Sequence, residues 1–206
     1  MNLYRFFAGH GGREFVRALA RMEVTGAENI PATGPCILAP NHESVIDPFL
    51  LGAATERLIH YMAKRELFSV RPVAWAMRGF GAFPVERGGG DHAAISEAAA
   101  LLADGGVLGI FPQGTSKLHA PRRWHRGAAK LALTTGSPLV PVRVRGTRRL
   151  LRLRLPKVRI EFLPAIEFEP GRATIAAARE LTARLEQTIS DGVYAPAPTS
   201  RPQVSP

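Results

Sequence analysis

His42 and Asp47 are the side chains best placed by type and spacing to do acid–base chemistry together. They lie in Pro40-Asn41-His42-Glu43-Ser44-Val45-Ile46-Asp47-Pro48, between an apolar run and a helical pattern. A neutral imidazole can take the proton of an alcohol, a poor nucleophile at neutral pH, as that alcohol attacks an acyl carbon. A carboxylate on the other ring nitrogen fixes the tautomer and stabilises the imidazolium that forms. In one continuous helix a five-residue separation would set the two side chains roughly 140° apart. A turn before the helix can instead fold the carboxylate back onto the ring. The competing reading is structural, with Asp47 as a helix N-cap, Pro48 as the first helical residue and His42 as a polar loop residue. The spacing alone does not separate the two.

Three further stretches follow in order: Gly81-Ala82-Phe83-Pro84-Val85-Glu86-Arg87, Phe111-Pro112-Gln113-Gly114-Thr115-Ser116-Lys117, and Leu139-Val140-Pro141-Val142. Each is ambiguous alone. Arg87 beside Gly88-Gly89-Gly90 reads as a solvated charge or a phosphate ligand, and Val140-Pro141-Val142 as a core strand or part of an acyl pocket. With Asn41-His42-x4-Asp47, and with Glu23-Val24-Thr25-Gly26-Ala27-Glu28-Asn29-Ile30-Pro31 ahead of it, they resemble in order and spacing the signature blocks of the glycerolipid acyltransferase family. Its best-known members are the 1-acylglycerol-3-phosphate acyltransferases. The resemblance covers roughly residues 22–165.

The resemblance implies that His42 and Asp47 form the catalytic pair and that Arg87 contacts the acceptor's phosphate. A guanidinium suits that task because its planar fork matches phosphate oxygens. Gln113, Gly114, Thr115 and Lys117 become the further substrate-binding positions. Here the chain departs from the family, which typically has Phe-Pro-Glu-Gly-Thr and then Arg-Ser: Gln113 stands in the Glu place and Ser116 in the Arg place. Gln keeps a carbonyl acceptor but loses the charge, and Lys117 is a point charge that cannot copy a guanidinium fork. The implied activity is transfer of a fatty acyl group from acyl-CoA or acyl carrier protein to a lysophospholipid hydroxyl, with 1-acyl-sn-glycerol-3-phosphate the first acceptor. A different lysophospholipid, or an amino-acid-based lyso-lipid, is the alternative. A non-catalytic lipid-binding protein is a third reading, opposed by the intact pair. No cofactor is expected beyond the acyl donor.

Such a pair needs a scaffold. Apolar runs at 35–39, 58–63, 81–85, 107–111, 139–144 and 157–163 alternate with helical patterns at 47–56, 72–79, 91–104, 125–135 and 172–190. Alternation of this kind predicts an α/β fold, a single domain with a mixed, largely parallel sheet flanked by helices. The resemblance makes it glycerol-3-phosphate acyltransferase-like. His42 then falls near the carboxyl end of a strand, where α/β folds place their chemistry. Residues 1–22 read as an amphipathic segment, helical from about Arg13, residues 23–191 as the acyltransferase domain, and residues 192–206 as a disordered Pro-rich tail.

The net charge of +10, from 27 Lys plus Arg against 17 Asp plus Glu, calls for an anionic partner. Arg143, Arg145, Arg148, Arg149, Arg152, Arg154, Lys157 and Arg159 are interleaved with Leu150, Leu151, Leu153 and Leu155. Leucines beside arginines favour an anionic membrane surface over nucleic acid, and an aromatic content of 7% with no recognition motif argues the same way. A solvated edge strand is the remaining alternative. No stretch reaches the roughly 18 apolar residues of a membrane span, and Arg13, Glu14, Arg17 and Arg21 break up any leader-like run. The expected location is the inner face of the cell membrane, as a peripheral protein in the cytoplasm. Cys36 sits in an apolar run and reads as a core residue, and Ser44 lacks a nucleophile elbow. His10, His60, His92, His119 and His125 share no metal-ligand spacing, so no metal is expected.

Overall fold

Strands and helices alternate along the chain in the computed structural model, which describes residues 10–79, 81–85, 92–114, 123–150 and 157–193. The strands are β1 (Glu23–Thr25), β2 (Cys36–Pro40), β3 (Ile59–Lys64), β4 (Ala82–Val85), β5 (Val107–Gly109), β6 (Leu139–Arg145) and β7 (Arg159–Phe162). The helices are α1 (His10–Leu19), α2 (Asp47–Ala54), α3 (Arg71–Gly79), α4 (His92–Ala103), α5 (Gly127–Thr135), α6 (Thr147–Leu150) and α7 (Ile175–Val193). Among the described residues the strands form one sheet in the order β1-β7-β6-β2-β5-β3-β4. Only β6 and β7 pair antiparallel, so the sheet is mixed and largely parallel, as expected.

β2 shows how the sheet organises the core. Cys36 and Leu38 enter one apolar cluster while Ile37 and Ala39 enter the other, the period-two alternation of a strand covered on both faces. The first cluster takes Val16 and Ala20 from the α1 side, Leu50, Leu51 and Ala54 of α2, and Met77 of α3. The second takes Ala98 and Leu102 of α4, Leu131 of α5, and Leu181, Leu185 and Ile189 of α7. Burial pushes the Cys36 thiol up to about 12, which suits the core residue expected of it.

β2 and β5 are neighbours whose chains leave in opposite directions. β2 continues through α2 to β3 on one flank, and β5 continues through α5 to β6 on the other. Connections of one hand that travel in opposite directions must lie on opposite faces. α2 and α5 indeed pack into different clusters. The carboxyl ends of β2 and β5 are thereby left side by side, where a ligand can approach.

Two expectations change. α1 already includes His10, Gly11 and Gly12 rather than starting near Arg13. Its arginines hold the end of α2. Arg17 Nε and Nη2 donate to Ala53 O at 2.7 Å and Ala54 O at 3.1 Å, and Arg13 Nη1 donates to Thr55 O at 3.3 Å. These are carbonyls at the end of α2 that have no acceptor role within the helix, and cations are favoured there. Along 143–159 several charges are likewise paired internally. Arg143 donates to Thr188 O at 2.6 Å and pairs with Glu161, while Lys157 and Arg159 both pair with Glu23. These pairs leave less of that stretch for an external anion than its composition implies. Among the described residues no helix is long and apolar enough to cross a membrane.

Candidate active site

β2 ends at Pro40, and Asn41 turns the chain out of the sheet without leaving it. Its side chain acts as a strand partner, accepting from Val144 N–H at 2.7 Å and donating to Val144 O at 2.9 Å. Both groups are buried, so the otherwise unpaired polar atoms of β6 are satisfied. The next residue is His42.

The His42 ring meets Asp47, with Nδ1 2.9 Å from Oδ2. The same oxygen accepts the N–H groups of Glu43 at 2.7 Å and Ser44 at 2.8 Å. The carboxylate therefore cannot turn without breaking three hydrogen bonds. A turn closed by Asp47 N–H to Ser44 O at 3.1 Å returns the chain on itself, and α2 starts there. Asp47 is the first residue of α2 and Ile46 is its cap, with no side-chain cap bond. The N-cap expectation for Asp47 is corrected accordingly: the loop's own amides and the imidazole take the carboxylate. Pro48, second in the helix, has no N–H to compete for it.

The two partners differ in access. Asp47 is fully buried, whereas the His42 side chain keeps 16% of its surface exposed. An ionised carboxylate only accepts hydrogen bonds, so Nδ1 is the donor, and in the neutral ring Nε2 keeps a lone pair. Phe111 lies beside the imidazole with ring centroids 4.3 Å apart. Tyr61 lies 6.3 Å beyond Phe111, and its hydroxyl donates to Pro48 O at 2.8 Å. That arrangement requires Gly109, because a Cβ there would come within 2.6 Å of the Tyr61 ring. β3 and β5 thus floor the site and hold the first turn of α2.

Gln113 arrives from the carboxyl end of β5. Its Oε1 accepts the His42 backbone N–H at 2.8 Å, and the residue is only 4% exposed. Gly114 closes the turn with its N–H to Phe111 O at 3.0 Å and a φ of 66°, a left-handed conformation suited to glycine. Arg87, Thr115 and Lys117 lie outside the described residues. The structure therefore brings together His42, Asp47 and Gln113.

Two participants were not picked out as site residues from the sequence. Asn41 locks the loop to β6, and its only signal is its place in the quoted motif. Glu43 Oε2 accepts Gly146 N–H at 3.1 Å, which joins the same loop to the start of α6. Gly146 adopts a φ of 86° there, and a Cβ would fall 2.5 Å from Lys157 O. Burial first, and then the charge of Asp47, push the Glu43 carboxyl above its ordinary range, with Arg148 opposing. Ser44 contributes its N–H to Asp47, while its buried hydroxyl has no partner among the described residues.

The acyltransferase family model matches residues 21–145, more than half of the chain. A 1-acyl-sn-glycerol-3-phosphate acyltransferase of Bacillus subtilis is 35% identical over 127 residues, covering 61% of this chain and 63% of that protein. The protein of the same name from Borreliella burgdorferi is 32% identical over 127 residues, covering 60% of this chain and 51% of its own length. The chain thus spans less than two thirds of the length of these curated relatives. The crystal structure of the 1-acyl-sn-glycerophosphate acyltransferase PlsC from Thermotoga maritima superimposes with a TM-score of 0.67 at 24% identity, covering 88% of this chain and 78% of that one, and so shares the fold. With its family model spanning the strand that delivers His42, the helix that delivers Asp47 and the strand that delivers Gln113, the chain belongs to the acyltransferase family.

Proposed function

We propose that the chain is an O-acyltransferase of phospholipid biosynthesis that moves a fatty acyl group from acyl-CoA or acyl carrier protein to the hydroxyl of a lysophospholipid, 1-acyl-sn-glycerol-3-phosphate first. The observation that carries this reading is the 2.9 Å contact between His42 Nδ1 and the buried Asp47 carboxylate at the end of a central strand. His42 Nε2 takes the proton of the acceptor hydroxyl as its oxygen attacks the thioester carbonyl. The tetrahedral intermediate collapses, the C–S bond breaks, and the imidazolium returns the proton to the departing thiolate. Asp47 holds the tautomer and stabilises the imidazolium, a role generally worth several powers of ten in rate. The acyl group passes directly between substrates, with no acyl-enzyme. The names of the Bacillus and Borreliella relatives support the acceptor.

Gln113 bears on the acceptor in a specific way. Its carbonyl oxygen serves the His42 amide, a task Glu or Gln performs equally, so the departure from the family's usual Glu leaves the transfer chemistry intact. Headgroup recognition then falls to Arg87, Thr115 and Lys117, with Gly114 allowing close approach. A lyso-lipid other than 1-acyl-sn-glycerol-3-phosphate is the second reading, favoured by Ser116 in the place of the family's Arg. The protein works as a peripheral enzyme on the inner face of the cell membrane.

Purified protein assayed with acyl-CoA and acyl carrier protein against lysophosphatidic acid, other lysophospholipids, an amino-acid-based lyso-lipid and monoacylglycerol tests the proposal. Preference for lysophosphatidic acid, lost with Arg87→Ala for phosphate-bearing acceptors only, is the expected result. Equal loss for neutral acceptors removes the headgroup role of Arg87. Absence of transfer to every hydroxyl acceptor overturns the function.

A further inference from the structure

Outside the site, two large apolar side chains left in solvent lie at α3 and the residue that leads into it. Val70 is 53% exposed and Trp75 62% exposed, and Arg71, Pro72 and Arg78 are exposed on the same segment. Arg71, Trp75 and Arg78 are spaced four and three residues apart, which puts them on one stripe of a helix. The adjoining flank of α3 is buried, with Ala74 at 5% exposure and Met77 packed into the core. Arg78 lies over the Phe68 ring, 5.7 Å from its centroid, which steadies its guanidinium beside the stripe.

The stripe has a defined place. β3 runs parallel to β5, and β5 runs parallel to β2, so all three strands end at one edge of the sheet. β3 passes through a 3-10 turn at Arg65–Phe68 straight into Val70 and α3. The stripe therefore starts at the edge where β2 delivers His42, with only β5 between. Val45, inside the His42–Asp47 loop, is 67% exposed at that same edge.

We propose that Val70, Arg71, Trp75 and Arg78, together with Val45, form a contact surface for a bilayer with anionic headgroups, seating the His42 loop on the lipid. The proposal rests on the reading of a lipid acceptor and adds which face meets the membrane. An exposed Trp between two arginines matches the headgroup level, where the ring is half in hydrocarbon and the cations meet phosphate. Charge complementarity favours a lipid surface over a second copy of a chain that carries a net charge of +10. Glu66 is the single acid between residues 65 and 79.

The full chain carries two tryptophans, Trp75 and Trp124, so Trp124→Phe leaves Trp75 as the sole reporter. With vesicles containing phosphatidylglycerol, its emission shifts to the blue and is quenched by brominated acyl chains, whereas pure phosphatidylcholine vesicles have little effect. Should Trp124→Phe fail to fold, the difference between wild type and Trp75→Phe reads the same signal. Trp75→Ser and the double change Arg71→Gln with Arg78→Gln each lower vesicle partitioning by about tenfold. They reduce turnover of a vesicle-embedded acceptor and spare a short-chain, water-soluble one. Trp75 emission indifferent to anionic vesicles overturns the proposal. So does a solution dimer that Trp75→Ser splits while vesicle binding is unchanged, which would make this face a self-interface. Inactivity of wild type on the short-chain acceptor counts against the acyltransferase reading and leaves the fluorescence result standing.

Discussion

The two ends of α2 are both held by polar side chains, yet to different purposes. At its amino end Asp47 turns away from the helix and binds the His42 ring and the N–H groups of Glu43 and Ser44. At its carboxyl end Arg13 and Arg17 reach over from α1 to the carbonyls of Ala53, Ala54 and Thr55. The amino end sets the geometry of a reacting ring, and the carboxyl end satisfies acceptors that the helix leaves unused. What a charged contact at a helix end does depends on the group it holds in place. The first has a partly exposed imidazole beyond it, the second the packed helix α1 and the ion pair of Arg13 with Glu56. Changes at the amino end should therefore act on rate, and changes at the carboxyl end on stability.

Asp47→Asn is the sharpest way to break that contrast. It removes the negative charge that holds the His42 tautomer and stabilises the imidazolium, and kcat should fall by about 10³-fold or more, with the urea midpoint changed little. A fall in stability of similar weight to the loss of rate would put Asp47 with the arginines. Gln113→Leu comes next, since it leaves the half-buried His42 N–H without its acceptor. We expect a drop in kcat of about 10- to 100-fold, restored in large part by Gln113→Glu, which keeps the oxygen. Failure of Gln113→Glu to restore turnover would show that the amide itself is required.

Arg17→Ala addresses the other end. Losing its two hydrogen bonds to the α2 carbonyls, together with the exposed pair to Glu14, should cost about 1–3 kcal/mol in urea unfolding, with kcat on a soluble acceptor changed less than twofold. A large loss of kcat at unchanged stability would mean that α1 positions Asp47 through α2.

The smallest effect is expected at Glu43. Its carboxyl is held above the ordinary range by burial and by Asp47, so the folded chain keeps that proton to higher pH than the unfolded chain. The contribution of Glu43 to stability is present at low pH and is lost as pH rises through the folded-state value. Glu43→Gln carries no titrating proton and keeps an oxygen for Gly146 N–H. The Tm of the variant relative to wild type should therefore rise as pH is raised above the ordinary carboxylate range. A relative Tm that falls over this range contradicts the assignment.

Much of the scaffold was legible from local pattern. The runs at 35–39, 58–63 and 139–144 coincide with β2, β3 and β6, because central strands covered on both faces are largely apolar. β1 was not legible as a strand, since Glu23-Val24-Thr25 is short and mixed and exists by pairing with β7. The insertion of β5 between β2 and β3 was hidden as well, because strand order is a property of crossovers. In the site, the proximity of His42 and Asp47 could be anticipated from a five-residue separation and a turn. The reach of Gln113 to the His42 amide, across 71 residues, could not. Nor could the Asn41 clamp on Val144, which spans 103 residues. Both depend on which strand ends lie side by side.

The central claim is that His42 is the base that accepts the proton of the acceptor hydroxyl. Its most direct test is the rate of acyl transfer from acyl-CoA to 1-acyl-sn-glycerol-3-phosphate by purified His42→Ala, with circular dichroism and urea unfolding confirming a wild-type fold. Loss of kcat by about 10³-fold or more is the predicted result. Transfer at a rate close to wild type by the folded variant would contradict the account.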